Sequence, residues 1–90
     1  MNEVEKATDD NYKKLVAIAV MVIENLDNTT LTAFNIGIQT SGKIEKYNRS
    51  YQDALDLRLI NENGYPYDLD IIRDASAFEV NRRVRENRFN

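Results

Sequence analysis

Nine consecutive apolar residues, Leu15 to Ile23, run between Lys13-Lys14 and Glu24, and no other stretch of the chain is as long without a polar side chain. A helix needs about 20 apolar residues to cross a bilayer, so this run is not a membrane span. Its Val and Ile content would suit a buried strand, but Tyr12, Lys13, Lys14, Glu24 and Asn25 extend the segment to helical length. On a helical wheel Leu15, Val16, Ile18, Val20, Met21, Val22 and Ile23 point nearly all round the axis, and a helix of that kind must be covered on several sides. Two arrangements satisfy it: a central core helix wrapped by the others, or a helix whose surplus apolar surface forms a homodimer through Leu15, Ile18 and Val22.

With 90 residues there is material for one modest core, so residues 1–90 are expected to form a single helical domain, preceded by a frayed polar tail over residues 1–9. Cysteine and histidine are both absent. That removes thiol nucleophiles, disulfides, Cys/His zinc sites and the commonest general base at neutral pH. Carboxylates remain, as Asp68 with Asp70 and Asp53 with Asp56, but acids at these spacings read as helix caps and solvated faces. No enzyme, no metal and no cofactor are expected. The missing disulfide framework and the absence of a leader-like segment favour a cytoplasmic location.

The other elements follow from caps and breakers. Helix 1 is expected from Asp9 or Asp10 to about Leu26, and Thr29 or Thr30 can cap a second helix to Thr40, ended by Ser41 and Gly42. Residues 31–39, rich in Thr, Phe and Ile, could also be drawn as a strand. Ile44, Tyr47, Tyr51, Ala54, Leu55 and Leu59 recur at helical spacing, with Glu45, Lys46, Arg49 and Asp53 opposite, so a third helix is expected over residues 43–59 with both tyrosines inward. Asn63-Gly64 and Pro66 break the pattern as a plain loop or a short β-hairpin near residues 60–68. Asp68 or Asp70 would cap a last helix to about Arg88, unless Ser76 with Glu79 starts it later. The fold class expected is mainly α, a compact bundle of three or four helices.

Leu31-Thr32 opening a helix, Ile36-Gly37, the Thr40-Ser41-Gly42 turn, Ile44 and Tyr47, then Leu55 and Leu59-Ile60 before a turn resemble the helix-turn-helix of winged-helix DNA-binding domains over about residues 29–67. In such domains a glycine commonly precedes the wing where this chain has Arg58. The resemblance implies a small DNA-binding regulator of transcription, with residues 43–59 as recognition helix in the major groove and Asn63 to Tyr67 as wing. It further implies contacts to double-stranded DNA from Lys43, Lys46, Asn48, Arg49 and Gln52, and from a tail of Arg82, Arg83 and Arg85.

Charge is divided along the chain: residues 1–30 hold six acids and three lysines, whereas residues 79–90 hold four arginines and two glutamates. Screening over roughly 8 Å lets a local basic patch act within a chain of net charge −3. The same residues support plainer readings, a salt-bridged face for Lys46 and Arg49 and complementation of a helix end for the arginines. A helical protein-interaction module without nucleic-acid binding, or a structural subunit, stays open beside the DNA-binding reading, motivated by the acidic first third and the apolar excess on helix 1.

Overall fold

The computed structural model describes residues 3–89, and side-chain environments from Asp9 onward. Four helices form: α1 (Glu3–Ile23), α2 (Asn28–Ser41), α3 (Tyr51–Asp56) and α4 (Leu69–Arg85). α1 therefore begins six residues before the expected cap and takes in residues 3–9, expected as a tail; Met1 and Asn2 lie outside the described residues. No helix among the described residues is long and apolar enough to cross a membrane.

Residues 31–39 are helical, which settles the strand-or-helix alternative. The cap is Asp27 rather than Thr29 or Thr30: its carboxylate accepts the Thr30 N–H at 2.8 Å, and Thr30 itself is buried. That bond, ahead of the nearby charges of Arg49 and Arg83, holds the Asp27 carboxyl below its usual range. Gly42 ends α2 in the left-handed region (φ 71°), its N–H returning to Ile38 O at 3.1 Å. α4 starts from Asp68, which accepts the Ile71 N–H at 3.1 Å, and Ser76 lies inside the helix.

α4 is the element that packs against both α1 and α2. It runs parallel to α1, since Tyr12 meets Asp74 near one end and Glu24 meets Arg82 near the other, and antiparallel to α2, where Gln39 reaches Arg73 and Asn28 reaches Arg83. Ile23, Leu31, Phe34, Ile38, Ile72 and Ala75 meet in the core, joined by Ile44, Ala54 and Leu59 from the connecting segments. Burying a side chain such as Phe34 or Ile72 stabilises by roughly 1.5–3 kcal/mol each. The central position expected for α1 thus belongs to α4, and α1 is covered along one side only, by Ala19, Val20 and Ile23.

The third helix is much shorter than residues 43–59. Only Tyr51–Asp56 is α-helical, and residues 43–50 form turns. The cause is competing hydrogen bonds. Ile44 N–H donates to Gly64 O at 2.8 Å, and Asn48 Oδ1 accepts both the N–H and the hydroxyl of Ser50 at 2.8 Å, offering the backbone an alternative to the helical ladder. After α3, Arg58 takes a left-handed φ of 61°. Residues 60–68 carry one isolated antiparallel bridge, Ile60 to Pro66, and Gly64 (φ 87°) turns the chain back onto Ile44.

Candidate functional site

The eight side chains implied for nucleic-acid contact separate into two clusters with different fates. In the first, the 43–50 segment is pinned from beneath: Ile44 is buried, and Asn48 Nδ2 donates to Ala33 O at 3.2 Å. Gly37 permits this approach, because a Cβ there would stand 2.8 Å from Ile44 Cδ1. Pinning turns Lys46, Tyr47 and Arg49 outward. Tyr47, expected in the core, is 89% exposed, whereas Tyr51 is half-buried with its hydroxyl donating to Glu62 O at 2.5 Å.

Lys46 and Arg49 have no ion-pair partner among the described residues. Lys43 does: it binds Glu45 at 3.1 Å and lies 5.5 Å over the Tyr65 ring, and the Glu45 contact raises its pKa. Gln52 donates to Asp56 at 2.8 Å, and Asn48 is committed to Ala33 and Ser50.

The second cluster, Arg82, Arg83 and Arg85, fastens helix ends together. Arg83 is buried and spends every nitrogen within the fold. Nε donates to Glu79 at 2.8 Å, Nη1 to Asn28 at 2.9 Å, and Nη2 to Leu26 O at 2.8 Å and Glu24 O at 3.3 Å. Arg82 pairs with Glu24 at 2.6 Å and faces Glu79, which is itself fully buried. Arg82 Nη2 meets Glu79 Oε1 as an ion pair without hydrogen-bond geometry, and Arg82 Nε, which takes no part in that pair, is likewise buried without a hydrogen-bond partner. The Glu24 contact raises the Arg82 pKa first of all. Only Arg85 of the three is exposed and free of a carboxylate.

A third surface is apolar. Leu15, Ile18 and Met21 on α1 are 48%, 56% and 66% exposed, and Phe78 on α4 is 48% exposed. Between the two helices lies a groove of about 360 Å³ floored by Val16, Ala17, Val20, Met21 and Phe78, with Lys13 at one end and Glu24 and Arg82 at the other. Val22 stands beside Leu15 and Ile18 on the helix but is part-buried, packed against the core. A shallower groove of about 440 Å³ runs along α2 past Thr32, Ala33, Ile36 and Arg49 to Phe89. Because apolar residues point nearly all round the α1 wheel, nothing in the sequence says which side α4 covers, and no local pattern marks Phe78.

Among the described residues no three His, Cys, Asp or Glu side chains come together to hold a metal ion. No protein-family model, curated protein or solved structure matches the chain.

Proposed function

We propose that this chain is a helical protein-interaction module whose binding surface is the apolar strip of α1 and the adjoining groove against α4. The observation that carries the reading is the outward placement of Leu15, Ile18 and Met21, the last of which lines the groove shared with Phe78. These side chains contribute little to the fold while exposed. Each is already about half covered, so covering the rest would gain roughly 1–2 kcal/mol apiece, a gain left for a partner. Two parallel helices with an apolar trough between them suit a partner helix that lays down its own apolar face.

The test is a photoreactive side chain at position 21, with position 61 on an exposed loop as control, in the cell that makes the protein. Position 21 is expected to yield one discrete protein adduct that disappears with Ile18→Glu. Adducts of equal yield and spread from both positions would reject the reading.

DNA binding is a second reading, favoured by two observations. Lys46, Tyr47 and Arg49 stand outward on a pinned segment, and Arg58 adopts a left-handed φ at the position where winged-helix domains carry glycine. On this reading the Ile60–Pro66 bridge is the root of a minimal hairpin wing, and contact comes from the 43–50 turn rather than from a recognition helix. Lys46, Arg49 and Arg85 are the cations of the implied set left free for phosphates. Binding would then have a log–log salt slope no steeper than about −3. A duplex titration showing no binding at low salt, or a slope near −6, excludes this contact set.

A further inference from the structure

We propose that the occupant of the α1 strip is a second copy of this chain, its α1 antiparallel to the first and crossing it at Ile18. The inference rests on the interaction reading above and names the partner. A two-fold axis at Ile18 sets Leu15 of each copy against Met21 of the other, and Asn11 against Asn25, so apolar meets apolar and amide meets amide at equal distances from the crossing. Leu15, Ile18 and Met21 are all outward in the single chain, so no rearrangement is needed to form the contact.

Charge selects the direction. Lys14 stands on the exposed side of α1 at one end of the strip; at the other stands Glu24, part-exposed, whose Oε1 binds Arg82 and whose Oε2 meets no cation among the described residues. At 1.5 Å per residue they lie about 6 Å and about 9 Å from Ile18, and a lysine stem spans the difference. Antiparallel packing therefore brings each Lys14 towards Glu24 of the other copy and opposes the two helix dipoles. Parallel packing would stack Lys14 on Lys14 and Asp10 on Asp10. The strip asks of its occupant a short apolar helix face with an ammonium at one end and a carboxylate at the other, and α1 itself is that helix. The contact keeps Leu15 and Ile18 of the face expected from the sequence and takes the exposed Met21 in place of Val22, which is part-buried against the core. Three apolar side chains a side make a small interface, below about 1,200 Å² in total, so the dimer is reversible.

The absence of cysteine makes the arrangement directly testable on the purified full chain. Sedimentation over roughly three decades of concentration should show the mass rise from one chain to two. Ile18→Glu should shift half-dissociation upward by at least about 100-fold with an unchanged circular dichroism spectrum. Under mild oxidation, Leu15→Cys chains mixed with Met21→Cys chains should give the mixed disulfide, and Leu15→Cys chains alone should give little.

A wild-type chain monomeric throughout, a mass insensitive to Ile18→Glu, or efficient linkage of Leu15→Cys with itself each overturns the proposal. A monomeric chain whose position-21 probe captures a different protein overturns the second-copy occupant alone. A monomer with no discrete adduct from that probe overturns the interaction reading as well.

Discussion

Arg83 is a side chain that a sequence reading assigns to the surface and the fold places inside. Its Nη2 donates to the Glu24 and Leu26 carbonyls, closing the end of α1, while Glu79 one turn earlier neutralises it. Removing one partner strands a buried charge, at a cost of about 3–5 kcal/mol, whereas replacing both with apolar groups of similar size costs far less. Glu79→Leu is therefore expected to lower urea-unfolding stability by that amount, Arg83→Met by less because Arg82 still faces Glu79, and the double substitution by less than Glu79→Leu alone. Additive losses would show that the two side chains act independently. At the opposite end the Tyr12 hydroxyl donates to Asp74, a bond that raises the phenol pKa to about 12, with burial and the Asp74 charge adding to it. A folded-state pKa above the unfolded value of about 10 means that this bond contributes fully below pH 10 and is lost as pH rises through about 12. Tyr12 should ionise last in a phenolate absorbance titration, behind Tyr67, whose pKa burial also raises, and Tyr12→Phe should remove that last step and flatten the alkaline fall in stability over the same window.

The element whose form departs most from its sequence pattern is α3, and what displaced the pattern is a contact between distant residues. Gly64 turns at φ 87° so that its carbonyl meets Ile44 N–H, and a Cβ at Gly64 would lie 2.0 Å from Ile44 O. No side-chain shift relieves a backbone collision, and a left-handed φ strains any L residue, so Gly64→Ala is expected to cost about 3 kcal/mol or more. Gly37→Ala meets the movable Ile44 Cδ1 at 2.8 Å and gains helix propensity inside α2, so its net cost should be about 1–2 kcal/mol. Chemical denaturation of the two variants should rank them in that order; the reverse order would mean that residues 61–65 are not anchored on Ile44. These positions also mark what could be read in advance. Gly42, Asn63-Gly64 and Asp68 carry local chemistry, and the turn, the loop and the α4 start fall where that chemistry puts them. The spacing of Ile44, Tyr47, Tyr51 and Leu55 suits a helix equally well in isolation, but the Asn48–Ser50 bonds and the Ile44–Gly64 bond decide otherwise, and the second joins residues twenty apart. The outward cations Lys46 and Arg49 were legible by type. The burial of Arg83 depends on carbonyls from α1 that no local pattern announces.

Across the whole molecule, the parallel packing of α1 against α4 sets two helix dipoles side by side in the same sense, which is unfavourable by itself. The charges are distributed so as to offset it. Asp70 lies in the first turn of α4, and Arg82, Arg83 and Arg85 in its last turn. Arg85 isolates this effect, because it is exposed and lies outside the buried ion-pair network. Arg85→Glu should then lower stability by about 0.3–1 kcal/mol at low ionic strength, with little of the difference left in roughly 1 M salt, where screening acts over about 3 Å. The measurement is urea unfolding of both proteins at the two salt concentrations. A loss that persists at high salt would assign Arg85 a packing role, and no loss at low salt would show that the dipoles of α1 and α4 are already screened by water. The same substitution leaves Leu15, Ile18 and Met21 untouched, so a change in self-association with Arg85→Glu would place the contact between copies at the carboxyl end of α4 and not on the α1 strip.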